Sequence, residues 1–557
     1  MKANERVLEQ ILHSGDQYVI PLFQRYYKWT KDNWDRLWSD IYELLEEGGK
    51  RRHFLGSVVC VADNHQPGMV PRYMVIDGQQ RIVTLSILLS ALRDAAKSAG
   101  QSDLAAEIED NFLLHRHKKK LERYKVVPRQ RDRQSYLDLL DRKPVSEKTN
   151  ITEAYRFFAG KLTDVGKNGR LEDLFKLVSN GVMLVVITLD AGENPFAIFK
   201  SLNSTGQKLT EADLIRNQVF MQVELVDQDS FEEDHWHPIE QAFEKTDTAG
   251  AIDITEFFRD YLMRDGRYVR EDATFVAFEA EMETLRWAPA DLCAELLTFA
   301  RHYNVVRGRE KATAPEIEAA LTKLRQLNVS TTYPLVLTLL RRHQLGQLTV
   351  GDVVRCLEAL SGFILRRFIC NESSRGYSRW FPAACKELGN APLSNLVTFL
   401  KGKGWPDDGR FATAMLHYAL YTSKYNRAVL ESLEMSIQRS EPVNLGNCTI
   451  EHVMPQTIND DLDGHEWKAA LGSDWKRVHD MWLHTIGNLT LVGYDYNILM
   501  KNKPYPVKKC ELVGKSKVYL NEHFESVDEW DETQISERGG QLASRLVPIW
   551  AGPDSFQ

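Results

Sequence analysis

The mixture of strand-like and helix-like stretches changes twice along the chain, and this limits the fold more than any other sequence feature. Up to about residue 225, short β-branched runs such as 182–189 alternate with helical patterns such as 82–97. From 226 to 440, apolar residues recur at three- and four-residue spacing, which predicts helices almost throughout. Strand-like runs return from 441 to 557. We therefore predict a multidomain α+β protein whose three domains are 1–225, 226–440 and 441–557.

The chain has 557 residues and a net charge of −8, but the charge is unevenly spread. Nine Lys/Arg and two acidic residues lie between Arg116 and Arg133, including Lys118, Lys119 and Lys120. Six lysines and one glutamate lie in a second basic stretch, 498–517. Such runs are often solvated surface. They are also suited to DNA phosphates, so the three consecutive lysines are candidate DNA contacts.

The N-terminal residues, the apolar runs and the cysteines of the chain together favour a cytoplasmic protein. No apolar leader follows Met1, and the longest apolar run, 182–189, is too short to span a bilayer. The seven cysteines are scattered singly without a CxxC pair, which predicts neither disulfides nor a zinc ribbon. We expect no membrane partner.

The most informative segment is 450–456, Ile-Glu-His-Val-Met-Pro-Gln. Glu451 directly precedes His452 near a predicted strand end. A carboxylate can bind a hard divalent cation, and an imidazole can accept a proton from water. Phosphodiester cleavage needs both functions. By itself the string is weak evidence, because EHxxP arises easily by chance.

Polar residues with matching spacing follow this segment. Asn488 lies in the strand-like run 486–492, and Asn497 would begin a helix after it, with Lys501 and Lys503 beyond. A strand, a turn and a helix would return Asn497 opposite Glu451, in a ββα-metal arrangement.

Residues 441–557 resemble the HNH endonuclease domain at the C-terminus of GmrSD-type restriction enzymes. The resemblance implies that His452 is the general base, that Glu451 and Asn497 bind Mg²⁺ or Mn²⁺, and that Asn488 supports the histidine loop. It also implies that Lys501 and Lys503 lie near the scissile phosphate. Asparagine replaces the final histidine of many HNH sites.

Three further strings lie in the first domain. Residues 20–29 combine a short strand with Gln24, Arg25 and aromatic residues. Residues 75–81, Val-Ile-Asp-Gly-Gln-Gln-Arg, lead from a strand into a helix, whose free N–H groups favour an anion. An ordinary hairpin turn and helix start is an equally good interpretation of that string. Residues 199–217 read as a polar turn with an N-capping box.

Together these strings resemble the GmrS-type domain, whose fold is similar to ParB and sulfiredoxin and which binds and hydrolyses nucleoside triphosphate. The resemblance covers about 15–225. The nucleotide contacts it implies are Gln24, Arg25, Asp77, Gly78, Gln79, Gln80 and Arg81. Four residues are weaker candidates that could equally serve the fold: Asn203, Gly206, Asp213 and Asn217.

Both domains in this order imply an NTP-dependent endonuclease of type IV restriction, which defends against phage by cutting modified double-stranded DNA. Two alternatives stay open: a nucleotide-regulated DNA-binding protein with an inactive nuclease, and a toxin-like nuclease without modification sensing. A homodimer also stays open as the assembly.

Overall fold

The computed structural model describes residues 2–21, 24, 26–48, 51–62, 70–144, 148–189, 210–223, 227–244, 250–437, 443–514 and 517–556. Two compact units are present: residues 1–240 with 278–293, and residues 241–277 with 294–557. The helical segment from 294 to 437 therefore belongs to the same unit as the C-terminal strands. The three domain boundaries that we expect from the sequence stay a prediction.

The first unit contains a mixed sheet of six strands. The strands are β1 (Lys2–Val7), β2 (Gln17–Val19), β3 (His53–Ala62), β4 (Arg72–Asp77), β5 (Val126–Val127) and β6 (Val182–Leu189). Their order across the sheet is β1-β6-β3-β4-β2-β5. The pairs β1–β6 and β3–β4 are antiparallel, and the other three pairs are parallel.

The described residues are mostly helical. The α-helices are α1 (Leu8–Leu12), α2 (Lys31–Glu46), α3 (Gln79–Ser98), α4 (Ser102–Ile108), α5 (Gln130–Leu140), α6 (Asn150–Lys167), α7 (Leu171–Gly181), α8 (Glu211–Phe220), α9 (Gln228–Phe231), α10 (His237–Glu244), α11 (Gly250–Met263), α12 (Thr274–Leu285), α13 (Pro289–Arg307), α14 (Pro315–Gln326), α15 (Tyr333–Gln344), α16 (Val350–Ile369), α17 (Tyr377–Glu387), α18 (Pro392–Lys401), α19 (Asp408–His417), α20 (Asn426–Met435), α21 (Leu462–Leu471), α22 (Trp475–Trp482), α23 (Tyr494–Met500), α24 (Tyr505–Gly514) and α25 (Glu532–Ile549).

Helix α3 is the central element of the first unit. Nearly every side chain from Gln79 to Leu92 is buried, so this helix is packed against the rest of the unit around most of its circumference. Its small polar side chains form hydrogen bonds within the helix. Thr84 Oγ1 donates to the Gln80 carbonyl at 2.6 Å, and Ser90 Oγ donates to the Ser86 carbonyl at 3.0 Å. A helix buried on this scale fixes the position of its own N-terminus, where the 75–81 string lies.

Two strands are not evident in the sequence. Strand β1 reads as a polar segment, Lys-Ala-Asn-Glu-Arg-Val, because it lies at the sheet edge and pairs only with β6. Strand β5 has two residues, too few for an alternating pattern. The short β-branched runs 57–61, 72–76 and 182–189, which indicate strands in the sequence, lie in β3, β4 and β6.

Two consecutive arginines on a helix, such as Arg366 and Arg367, are more often solvent-facing charges, and the structure corrects this interpretation. Both are buried on α16, at 0% and 4% exposure. Arg366 donates to the carbonyl of Trp550 at 2.6 Å, and Arg367 to that of Lys403 at 2.6 Å. Planar guanidinium groups with several donors can satisfy carbonyls at helix and chain ends. These arginines therefore serve the fold, and a phosphate contact is not available to them.

The C-terminal part of the second unit contains an antiparallel pair, β7 (Cys448–His452) and β8 (Leu489–Gly493). Helices α21 and α22 lie between these strands in sequence. Their tryptophans, Trp467, Trp475 and Trp482, belong to or pack against one core with Val492 and Trp530. The tryptophans therefore pack this insert onto its own domain.

All seven cysteines are free, six of them buried or half-buried. Within the described ranges, no helix has the length and apolar character needed to cross a membrane.

Candidate functional site

The pairing of β7 with β8 places Glu451 and His452 at the end of a strand. Glu451 lies opposite Thr490 and His452 opposite Leu489. The sequence alternates apolar and polar residues only weakly here, because both strands are packed on both faces. Glu451 is 6% and His452 4% exposed. A carboxylate and an imidazole buried next to each other need partners, and the structure supplies them.

The partner of Glu451 is Lys508 on α24. The Lys508 ammonium donates to Glu451 Oε1 at 2.6 Å and to the His452 carbonyl at 2.7 Å. Lys508 is itself completely buried. Burial raises the pKa of Glu451 and lowers that of Lys508, and the ion pair opposes both shifts. The ammonium thus fixes both the carboxylate and the strand end.

The His452 ring is enclosed by Tyr421 and His484. Nε2 of His452 lies 3.2 Å from Nδ1 of His484. The Tyr421 and His452 rings make an edge-to-face contact, with their centroids 4.2 Å apart. Burial lowers the pKa of His452 to about 3, with smaller contributions from His484, Lys508 and His479. The imidazole is therefore neutral at neutral pH and has a lone pair to accept a proton.

Asn488 holds the loop that follows His452. Its Oδ1 accepts from the Met454 N–H at 2.7 Å and from Trp530 Nε1 at 3.2 Å. Its Nδ2 donates to the carbonyls of Met454, at 3.0 Å, and Leu483, at 2.9 Å. Asn488 is 0% exposed, and these bonds hold the loop in place. Its role in catalysis stays a prediction.

Asn497 lies on α23 and reaches back to β7. Its Nδ2 donates to Thr449 Oγ1 at 2.9 Å and to the Ile450 carbonyl at 3.3 Å, directly before Glu451. Lys501 and Lys503 follow the helix and are exposed, and Lys503 pairs with Asp463 at 3.0 Å. The structure therefore brings Asn497 to the strand of Glu451, whereas the two predicted lysines are surface residues.

In the first unit, buried glutamines join the two predicted nucleotide motifs. Gln24 Nε2 donates to the Ile76 carbonyl at 2.6 Å. Gln80 Oε1 accepts from the Lys28 N–H at 2.9 Å, and its Nε2 donates to the Tyr26 carbonyl at 3.0 Å. Both amides are thus engaged with backbone groups. Their role as nucleotide contacts stays a prediction, but their structural role explains why the two strings occur together.

The other residues of the 75–81 string surround the start of α3. Gly78 has φ +91° and precedes the first helical residue, Gln79, which is buried. Arg81 donates to the Ser57 carbonyl, and its guanidinium lies 3.9 Å from the Asp77 carboxylate. Both of these charged side chains are about a quarter exposed. Backbone N–H groups and an accessible guanidinium at a helix N-terminus form a suitable site for phosphate.

Replacing Gly78 by alanine is expected to destabilise the first unit strongly. A Cβ at this position would lie 2.7 Å from the Ser57 carbonyl oxygen, in a left-handed conformation. The conformation costs about 1–2 kcal/mol, and the clash a further ~1–3 kcal/mol. Gly100 is the matched control, since it has φ +78° and nothing within 4 Å. Urea denaturation of the two variants isolates the clash, and equal destabilisation would contradict it.

Of the remaining residues predicted for the nucleotide site, the structure describes some and not others. Arg25, Asn203 and Gly206 lie outside the described residues. The capping box at α8 is confirmed: Asp213 accepts from Thr210 Oγ1 at 2.8 Å, and the Asp213 N–H donates back at 3.1 Å. Asn217 is buried on the same helix.

The predicted DNA-contacting lysines lie on a surface loop. The loop is closed by a bridge between Leu114 and Tyr124. Lys119 and Lys120 are exposed, and Lys118 is half-buried. Their accessibility is compatible with phosphate contacts, which stay a prediction.

Two family models match the chain. The model of the GmrSD restriction endonuclease N-terminal domain matches residues 8–220, and that of the GmrSD restriction endonuclease C-terminal domain matches residues 405–545. The chain belongs to the GmrSD restriction endonuclease family. Membership in this family implies a nuclease whose substrate is DNA. A search of curated proteins found no match.

Three residues of this GmrSD site were not evident in the sequence: Tyr421, His484 and Lys508. Tyr421 lies before the expected start of the nuclease domain at 441, although the GmrSD C-terminal match begins at 405. Lys508 lay in a basic stretch that reads as surface. A usable signal was its position between Tyr505 and Leu512, which share its buried helix face. A lysine on an apolar helix face needs a buried acid, and Glu451 supplies it.

Proposed function

We propose that this GmrSD protein is an NTP-dependent type IV restriction endonuclease that cuts modified phage DNA at an HNH-type metal site. The observation that supports it most is the placement of Asn497 against β7, the strand that carries Glu451 and His452. The order β7, β8, α23 is the ββα order that such a site requires. The first unit would be the ParB/sulfiredoxin-like domain that binds and hydrolyses nucleoside triphosphate.

The residues at β7 fit a hard divalent cation held by few protein ligands. A carboxylate and an amide oxygen are suitable donors for Mg²⁺ or Mn²⁺. The Asn497 amide nitrogen bonds to β7, so the oxygen on the other side of the amide is the donor for a cation. The described residues contain no cluster of three or more His, Cys, Asp or Glu that could hold a metal. Glu451 and Asn497 would therefore share the ion with water and phosphate, as Mg²⁺ allows.

In this proposal each of the protein residues has a separate role in hydrolysis. His452 takes a proton from water, and the resulting hydroxide attacks phosphorus while the bond to the leaving oxygen breaks. The phosphate brings negative charge, which raises the pKa of His452 and makes it a better base. Lys508 holds the His452 carbonyl, and Asn488 holds the loop that follows His452. A bound cation supplies charge stabilisation at the phosphate and the leaving oxygen.

Cleavage assays with purified full-length protein test this function. Phage DNA with and without base or backbone modification would be incubated with Mg²⁺ or Mn²⁺, with and without nucleoside triphosphate. We expect cleavage only of modified DNA with both metal and nucleotide. Cleavage of all DNA would instead support the toxin-like nuclease, and binding without cleavage the inactive-nuclease alternative.

Replacing Arg81 by alanine is expected to weaken NTP binding roughly 10–150-fold, since hydrogen bonds to charged groups contribute about 1.5–3 kcal/mol. Arg81→Lys should recover only part of the affinity, because it keeps the charge without the planar pair of donors. The exposed Arg52 provides the control variant Arg52→Ala. Calorimetric titration measures the effect, and wild-type affinity in Arg81→Ala would place the nucleotide elsewhere.

Replacing Lys119 and Lys120 by alanine is expected to lower the slope of log affinity against log salt by about 1.8 units, at roughly 0.9 per phosphate. Modified and unmodified DNA should lose affinity equally, because phosphate contacts position the DNA without specifying its bases. Lys167 and Lys176 are the matched pair, since both are exposed lysines of the same unit. DNA binding across a salt series measures the slope, and equal slopes for the two double variants would exclude the contact.

A further inference from the structure

We propose that His484 is a positioning residue that holds His452 in the one tautomer able to act as a base. This inference rests on the proposed nuclease function. The sequence strings do not include His484, which lies in the turn before β8.

Backbone hydrogen bonds and ring stacking hold the segments that carry the His452 and His484 rings. The strand pairing and the Val453 N–H bond to the Asn488 carbonyl at 3.0 Å hold the segment of His452. His484 is held through its own carbonyl, which accepts from the Tyr421 N–H at 3.1 Å. The Tyr421 ring also stacks on the His484 ring, with centroids 5.4 Å apart and an interplanar angle of 11°. The 3.2 Å contact between the imidazoles is therefore set by the fold.

A hydrogen bond between two neutral imidazoles has only two arrangements. Each neutral ring has one N–H donor and one acceptor nitrogen. If His484 Nδ1–H donates to His452 Nε2, then Nδ1 of His452 carries its proton. His452 then has no lone pair left for water. If His452 Nε2–H donates to His484 Nδ1, then Nδ1 of His452 is the free acceptor. Only the second arrangement permits catalysis.

The second arrangement also serves the protonated state. The proton from water forms a bond to Nδ1, and Nε2–H of the resulting imidazolium keeps its bond to His484 Nδ1. His484 thus accepts the same hydrogen before and after proton transfer. It needs no movement during the reaction, which lowers the reorganisation at the site.

Two variants separate this role from simple packing. His484→Asn keeps an acceptor oxygen close to the position of Nδ1, whereas His484→Leu fills space without an acceptor. We expect His484→Leu to lower kcat by at least about tenfold, since base catalysis contributes roughly 10²–10⁴-fold. The KM for DNA and the Mg²⁺ concentration at half-maximal rate should stay unchanged. His484→Asn should recover most of the rate.

Nitrogen NMR of the ¹⁵N-histidine-labelled, metal-free protein reads the tautomer directly. The His452 signals are those lost in His452→Ala. We expect Nε2 of His452 to carry hydrogen in the wild type, and a mixture of tautomers in His484→Leu. Hydrogen on Nδ1 in a wild-type protein that cuts DNA would overturn the inference, whether or not the leucine variant folds. Full activity of His484→Leu would do the same.

The two failures are distinguishable. If wild-type protein and His452→Ala are equally inactive on every DNA, the nuclease function fails. If His452→Ala is inactive but His484→Leu cuts normally, only the role of His484 fails.

Discussion

Replacing His452 by alanine is expected to lower DNA cleavage by at least about 10²-fold, because a general base commonly contributes 10²–10⁴-fold. His452 is the only histidine of β7, and its neutral, buried imidazole lies at the strand end next to Glu451. NTP binding should be unaffected, since the predicted nucleotide motifs lie in the first unit. Initial rates on a modified DNA at saturating Mg²⁺ measure the loss.

The control for this variant is His465→Ala, which removes an exposed histidine from α21 of the same unit. It should cut at the wild-type rate. His452→Gln provides a second variant that keeps polarity if alanine leaves a cavity against Tyr421. Thermal unfolding shows that each variant is folded. Cleavage by both His452 variants within about tenfold of wild type would remove His452 from the role of base.

Replacing Lys508 by methionine is expected to destabilise the metal-free protein by about 3–5 kcal/mol, the usual cost of leaving one member of a buried ion pair without its partner. The substitution keeps the length of the side chain but leaves the Glu451 carboxylate buried without a counter-charge. Added Mg²⁺ should restore stability to this variant more than to the wild type, because the cation can then neutralise Glu451. Urea denaturation with and without Mg²⁺ measures both effects.

The matched control is the double variant Glu451→Gln/Lys508→Met, in which no charge is left unpaired. Its stability should return toward the wild type and should not respond to Mg²⁺. Wild-type stability of Lys508→Met would show that the ion pair has no structural role. A loss of stability that Mg²⁺ does not reverse would argue against Glu451 as a metal ligand.

The sequence alone determined those helices and strands whose residue pattern is contained within the element itself. The apolar periodicity of 350–369 and the continuous apolar run 182–189 predict helix α16 and strand β6 with the bounds that the structure has. The capping box of Thr210 and Asp213 was equally predictable, since both partners lie within one turn. The pair Glu451-His452 and the family membership also followed from the residues alone.

Only the tertiary structure decided which partners the polar side chains of these motifs have. Gln24 and Gln80 belong to a predicted nucleotide motif, yet both bond to backbone groups more than 50 residues away. Arg366 and Arg367 look like surface charges but are buried, because their partners are carbonyls from distant segments.

The same limit applies to the candidate nuclease site. Lys508 lies 57 residues from Glu451 and His484 lies 32 from His452, so no local pattern joins them. A buried charge or ring nitrogen is stable only with a partner, and the chain brings that partner from wherever packing places it. The sequence by itself therefore determined the elements that have a local pattern, the motif and the family, while packing alone determined the neighbours of Glu451 and His452.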